Sequence, residues 1–545
     1  VNLLRIARPA GDATEEDLAA VRAGLAALGR PVPDGALERT SHLAQGASAA
    51  GRHMTRTAFG PLVVEVAASR IRASRGPAAA GRALAAEVLG GVAFASDART
   101  LWGAGVLPRR FDPGGLAAVL WRGGAVEARL PAAGVRALRP RETVAVSASE
   151  PLSPVPPPLV AAPAPRATPG DAERALEAAV GAALADARMP LLLLGSSAGG
   201  AAVAAAAVAA VGRAGLDAVT IAGYDPWLDE PQRGARIAWT LGVRHHVVPL
   251  GPLDPEEALA AWTSATDFPS ASGLATWCVS AALRRAGATV VLSGAGARAL
   301  FGRGRPFADR RRRLRAAALW PPLARGRPGG DPMDARAQRR RELRAFVRVP
   351  AKWAHAHAAL LPAVTRDAVS LLGPRPADDL VPAPGDDREV LSDLARLGRL
   401  SDLRLRDSDA AGEALGLDVR FPLLDDPFVE AVRGLDPDLR FRGGGSWGWL
   451  GARLAARGVL PPPALRGGFA PRYDAWLRGP LASWLSRTLA RDRLEHQRVF
   501  VPDAVADALA RFRARRSGWT AERILLVALV TDWVERHGLA RDEGP

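Results

Sequence analysis

Residues 191–207 read LLLLGSSAGGAAVAAAA, and the reading of this stretch decides the fold. Four leucines in a row suit a strand buried on both faces and are too few for a helix. The small polar turn Gly195-Ser196-Ser197-Ala198-Gly199-Gly200 then leads into an alanine run of high helical propensity. A strand, a tight glycine-rich loop and a helix in this order serve one of two purposes. The loop presents backbone N–H groups to an anion at the helix N-terminus, or it lifts a nucleophile onto a sharp turn. Gly195-x-Ser197-x-Gly199 has the spacing of the second device, the G-x-S-x-G elbow of serine hydrolases.

Outward from the loop the pattern alternates. A helix at about 171–187 precedes the leucines. A strand AVTIAG (218–223), a helix over 229–241 and a strand HHVVPL (245–250) follow, then a helix at 271–286 and a strand ATVVLSG (288–294). Helices alternating with apolar runs of this length predict an α/β domain with a parallel, doubly wound sheet. Its ligand belongs beyond the C-terminal strand ends, where LLLLG and VVLSG both stop in glycine-rich turns. PLSPVPPPLVAAPAPRATPG (151–170) is a proline-rich linker, semi-rigid and unable to carry a core. It separates an N-terminal α+β domain, residues 1–150, from a larger domain, 171–545. The N-terminal part mixes an alanine-rich helix near 15–29 with β-like runs PLVVEVAA (61–68) and GGVAFAS (90–96). Beyond 340 the sequence reads as mainly helical, broken by a loop at 373–389.

Composition narrows the functions. With 545 residues and 48% apolar content the chain is long enough for two or more cored domains. Gly195 to Gly200 interrupt its longest apolar stretch, so no membrane span is expected. The first residues carry no charged-then-apolar leader, and the expectation is a cytoplasmic protein. The single cysteine, Cys278, rules out an internal disulfide, and the eight histidines do not fall in the spacing of a metal site. A formal charge of +16 invites a nucleic-acid reading, but the chain has one lysine, Lys352, so the excess is all arginine. With the abundance of alanine, this reads as a composition bias and no nucleic-acid partner is expected. The arginine-rich stretches 302–315 and 335–348 read as solvated helix faces.

A hydrolase built on Ser197 requires an acid and then a histidine later in the chain, and oxyanion glycines upstream. His496 and His537 stand in the required order, but no such glycine cluster closely precedes the leucines.

Several spaced segments carry a different reading. They are VVLSGAGARALFGR (290–303), LRLRDSDAAGEALGLDVRFPLLDDPFVEAV (403–432), LPPPALRGGFAPRYDAWLRGPLASWL (460–485) and DEPQRGARIAWTLGVRHHVV (229–248). In order and content they resemble the L-S-G-E-G-x-D-E-L-F-G, R-x-D … E-V-R-x-P-F-L-D, L-P … K-x-G-F … W-L and D-E … A … L-G … H segments of the asparagine synthetase family. VAFASDARTLWGAG and VRALRPRETVAVS look like the end of that family's amidotransferase domain. The family includes β-lactam synthetases and lasso-peptide cyclases. The resemblance implies a degenerate amidotransferase-like (Ntn-type) N-terminal domain followed by an asparagine-synthetase-type domain, of the adenine nucleotide alpha hydrolase-like kind.

The resemblance also implies a chemistry: ATP and Mg²⁺ activate a carboxylate as an acyl-adenylate, and an amine attacks it to form an amide. Gly195, Ser196, Ser197, Gly199, Gly200, Ser293, Gly294 and Gly296 then take the nucleotide-binding positions. Asp418 replaces the glutamate that helps activate the amine, and Arg466 replaces the late lysine that contacts the reacting phosphate. The family's two metal-holding aspartates are absent: Gly199 stands at one position and Arg298 at the other, while Ala295 and Ala299 replace two glutamates of the second loop. Hard cations need oxygen ligands, so no intrinsic metal site is read, and Arg298 is left as a fixed positive charge. With Cys278 far from the N-terminus, no glutaminase activity is expected. Three functions stay open. They are a divergent amide-forming ligase acting on a peptide or small carboxylic acid in natural-product biosynthesis, a catalytically inactive partner of an active paralogue or biosynthetic protein, and a Ser197 hydrolase.

Overall fold

The computed structural model describes residues 3–7, 55–59, 62–67, 70–75, 83–88, 91–95, 97–105, 107–125, 130–138, 142–146, 164–195, 197–223, 230–251, 254–302, 387–441, 447–459, 473–514 and 521–541. The helix expected near 15–29, both arginine-rich stretches and nearly all of 340–389 lie outside these residues.

The N-terminal region contributes β1 (Leu3–Ala7), β2 (Thr55–Phe59), β3 (Leu62–Ala67), β4 (Arg70–Arg75), β5 (Leu84–Val88), β6 (Gly91–Ala95), β7 (Arg110–Phe111), β8 (Val135–Ala137) and β9 (Thr143–Val146). They include two four-stranded antiparallel sheets, ordered β1-β6-β5-β8 and β2-β3-β4-β9. Among the described residues two helices accompany them, α1 (Ala98–Gly103) and α2 (Pro113–Arg122). Each has an aspartate at its N-cap accepting from the first-turn amides: Asp97 from Thr100, and Asp112 from Gly114 and Gly115.

The linker is shorter than its composition suggests. Helix α3 runs Pro169–Leu184, so the last two linker residues are helical. Thr168 and Asp171 form a reciprocal capping box, and Pro169 sits where its missing N–H costs nothing. The leucine run then forms β10 (Leu191–Leu193), and the alanine run forms α4 (Ala198–Val211), N-capped by Ser197. After it come β11 (Asp217–Ala222), α5 (Glu230–Leu241), β12 (Arg244–Pro249), α6 (Pro255–Ala265), α7 (Gly273–Arg285), β13 (Val290–Ser293) and α8 (Ala297–Phe301). Beyond residue 386 the described chain has α9 (Asp387–Ala395), a π-helical turn Arg396–Leu405, α10 (Arg406–Leu415) and the short strand β14 (Asp418–Arg420). It is helical from there through Ala521–Arg536 and ends in β15 (Ala540–Arg541).

The expected parallel sheet is present. Its order is β12-β11-β10-β13-β14, and every neighbouring pair is parallel. Successive side chains of the leucine run point to opposite faces. Leu192 and Leu194 are buried with α3 and α4, while Leu191 and Leu193 pack on the cluster that holds α6, α7 and the C-terminal helices. That two-sided burial is what a doubly wound sheet requires, and it explains why the run does not alternate in polarity.

The linker separates two regions of sequence that packing joins. One hydrophobic cluster runs from Leu84 to Ala137 and from Val219 to Leu539. β15 pairs with β7, Gly124 bridges to Ser270, and the rings of Trp102 and Trp533 stand 6.1 Å apart.

Candidate nucleotide-loop site

The strand order places a topological switch point between β10 and β13: the chain proceeds from β10 toward β12 on one side, and from β13 to β14 on the other. In open α/β sheets the crevice beyond the strand ends at such a point receives the ligand. The first loop, Gly195 to Ser197, leaves β10 there, and the second, Gly294 to Gly296, leaves β13 beside it. These are the two loops at which the sequence expects a nucleotide.

The two loops pack closely against each other where they leave the sheet. A Cβ at Gly199 would overlap the carbonyl oxygen of Gly294 and would stand 2.9 Å from the Cβ of Ala297. From the other side, a Cβ at Gly294 would overlap the amide nitrogen of Gly200 and the carbonyl carbon of Gly199. Gly200 backs onto the carbonyl of Leu193, 2.8 Å from where its Cβ would lie. The two loops therefore meet backbone to backbone, at a spacing only glycine permits.

Each loop is also closed by its own side chains. The Ser197 hydroxyl accepts from the Gly200 N–H at 3.3 Å as the N-cap of α4, and the Ser293 hydroxyl accepts from the Ala295 N–H at 3.3 Å. Gly296 has φ +102°, a conformation other residues avoid, and Leu424 lies against it. At Gly195 the missing Cβ leaves room for the Glu230 carboxylate, from the first residue of α5. This brings a negative charge to the loop that the resemblance assigns to phosphates.

Of the expected site residues, the structure brings together Gly195, Ser197, Gly199, Gly200, Ser293, Gly294 and Gly296. Ser196 and Arg466 lie outside the described residues. Arg298 is exposed on the five-residue helix α8, while Ala299 beside it is buried. Asp418 is elsewhere. The parallel register sets it opposite Val290, three residues before Ser293, at the amino end of β14. Its carboxylate accepts from Arg420 at 2.7 Å, and Arg420 also binds Asp186 and the carbonyl of Ala183. Hydrogen bonding to Arg420 holds the Asp186 carboxyl below its ordinary range, and the same partner raises the guanidinium. Asp418 belongs to this ion cluster near the end of α3, and the register does not carry it to the loops.

The histidines of the hydrolase reading do not reach Ser197 either. His537 packs tilted against Trp102 and edge-on to Trp533, with centroids 5.2 and 6.0 Å away, and burial pushes its imidazole down to about 4. Among the described residues no histidine hydrogen-bonds Ser197. Cys278 is buried, and burial raises its thiol to about 12, so the thiolate that a nucleophile requires is not formed at neutral pH.

Mg²⁺ fits this arrangement poorly. The two expected metal-holding positions are Gly199 and Arg298, and the space for a side chain at Gly199 is filled. Among the described residues no group of three or more His, Cys, Asp or Glu is placed to hold a metal ion. Also among them, no helix is long and apolar enough to cross a membrane.

Sequence reasoning missed the polar groups behind the second loop. Arg440 is 1% exposed, and burial lowers its guanidinium to about 10. It donates to the carbonyl of Leu300 at 2.7 Å and to Ser392, whose hydroxyl donates to the carbonyl of Ala299 at 2.6 Å. These bonds satisfy the C-terminal carbonyls of α8. They join residues far apart in sequence, and no local spacing announces them.

Comparison with known families decides the relationship. The family model described as asparagine synthase matches residues 172–535. The chain belongs to the asparagine synthase family. Its match begins inside α3 and ends at the last helix, so it covers the parallel sheet, both loops and the helical C-terminal part. None of the curated proteins compared with the chain matches it. At family level these are ATP-dependent, amide-forming ligases that use ATP and Mg²⁺.

Proposed function

We propose that this asparagine synthase family member has lost metal-assisted adenylation. It acts as a non-catalytic partner of an active paralogue or biosynthetic enzyme, in the formation of peptide or other natural-product amides. The contact between Gly199 and Gly294 carries the reading. Departing pyrophosphate needs its developing charge neutralised, and the loop that should present the metal-binding carboxylate has no space for one. The two antiparallel N-terminal sheets support a degenerate amidotransferase-like domain.

Calorimetric titration with ATP and Mg²⁺ is expected to give no binding heat, and pyrophosphate exchange with carboxylate substrates to give no labelled ATP. Mg²⁺-dependent AMP release with any acid would overturn the proposal and restore the ligase reading, with Arg298 near the reacting phosphate. For the hydrolase alternative, a fluorophosphonate probe should label wild type and Ser197→Ala equally. The variant should lose about 1 kcal/mol of stability as α4 loses its cap. Labelling confined to the wild type would reverse that conclusion.

A further inference from the structure

A cavity of about 230 Å³ opens between α6 and the C-terminal helices Ala482–Thr488, Arg491–Gln497 and Ala521–Arg536. No residue of either glycine loop lines it, so the cavity is independent of what those loops bind. Part of its wall is apolar: Leu259 is buried, and Trp484 is half-buried against the main core.

The rest of the wall is charged and balanced. Arg487 donates to Glu256 at 2.6 Å and Arg536 to Asp532 at 3.1 Å, while Arg493 binds Glu535, which lies outside the lining. Three guanidiniums thus face three carboxylates, and the surroundings are neutral. These groups are nevertheless only partly used among the described residues. Arg493 spends its Nε and keeps both Nη groups, and Arg487 spends only Nη2. Asp532 accepts through Oδ2 alone and Glu256 through Oε1 alone. Thr488 adds a hydroxyl. The residue lines the cavity at 1% exposure, and its hydroxyl has no hydrogen-bond partner among the described residues. A buried polar group in that state is costly until something pairs with it.

Balanced charge with spare donors and spare acceptors selects the occupant. A simple anion or cation would leave a net charge in a neutral, partly enclosed site, and an unbalanced charge is expensive to desolvate. A zwitterion offers both signs and no net charge. We propose that this cavity binds a free α-amino acid with an apolar side chain. Its carboxylate meets the spare Nη groups of Arg493 and the Thr488 hydroxyl. Its ammonium meets the spare oxygens of Asp532 and Glu256, and its side chain lies against Leu259 and Trp484. At about 230 Å³ the space is smaller than the roughly 300–1,000 Å³ of drug-sized sites, which suits a single amino acid.

Calorimetric titration of the full chain with L-leucine tests this and is expected to saturate in the millimolar range. Isocaproate lacks the ammonium and isoamylamine lacks the carboxylate. Each should bind at least about tenfold more weakly, because each forfeits charged hydrogen bonds. Arg493→Gln should weaken leucine by a similar factor, whereas Arg174→Gln, in an exposed pair on α3, should leave it unchanged. Thr488→Val keeps the shape of the side chain, so it should weaken leucine without lowering the melting temperature. Absence of saturable leucine binding would overturn the proposal. So would either half-molecule binding as tightly as leucine, or leucine binding unchanged in Arg493→Gln.

Discussion

Replacing Gly199 by aspartate, which writes the missing carboxylate back into the first loop, should lower the melting temperature by about 5 °C or more without creating Mg²⁺ binding. The family pattern alone would suggest the opposite, since one substitution restores the expected residue. Here the new Cβ would enter the space of the Gly294 carbonyl, with the Cβ of Ala297 also 2.9 Å away. Backbone cannot yield as a flexible side chain does. Overpacking of this kind costs about 3 kcal/mol, and a kilocalorie shifts the melting point of a large domain by about 2 °C. Gly294→Ala tests the same contact from the other side and should destabilise comparably, because Gly199 and Gly200 block its methyl. Thermal melts with and without Mg²⁺ and ATP read both. A Gly199→Asp variant that keeps its melting point and gains protection from Mg²⁺–ATP would show that the loops part easily, and the non-catalytic proposal would fall.

Asp407→Ala should destabilise by about 3–5 kcal/mol, the cost of leaving a buried ion pair half-made, read as a lower midpoint in urea. Asp407 is fully buried. One carboxylate oxygen accepts from Ser270 at 2.7 Å and Ser272 at 2.9 Å, and the other from Arg406 at 2.9 Å. Arg406 is itself buried, and its Nη1 has no hydrogen bond, so loss of the carboxylate strands a charge already short of partners. Ser270 is also the residue bridged to Gly124, so the damage should extend to the junction with the N-terminal region. Asp407→Asn, which keeps an acceptor and loses the charge, should cost less than alanine. Equal and small effects from both would show that Arg406 is not held by this pair.

The sheet was legible because its signals are local. β10, β11, β12 and β13 lie within a few residues of the runs that predicted them. The strand-to-helix turns near 195–200 and 294–296 were legible because glycine in such a turn has a backbone reason. The linker end was misjudged by two residues, since Pro169 reads as linker by composition but begins a helix once Thr168 and Asp171 cap it. The linker also concealed how fully its two sides share a core, because a proline-rich stretch says nothing about packing across it. Asp418 shows the limit at the site. Its motif is close to the family's, yet β14 pairs with β13 in a register that sets it opposite Val290, beside Arg420.

The sequence by itself determined the family, the alternation that builds the parallel sheet, the switch-point loops and the loss of the metal carboxylates. Each of these is written in residue identity and short-range order. Only the tertiary structure decided that Gly199 lies against the Gly294 carbonyl, where a Cβ would clash. It also decided that Asp418 belongs to an ion cluster. Those outcomes depend on which backbone atoms of distant segments touch, and close packing fixes such contacts only after the chain has folded.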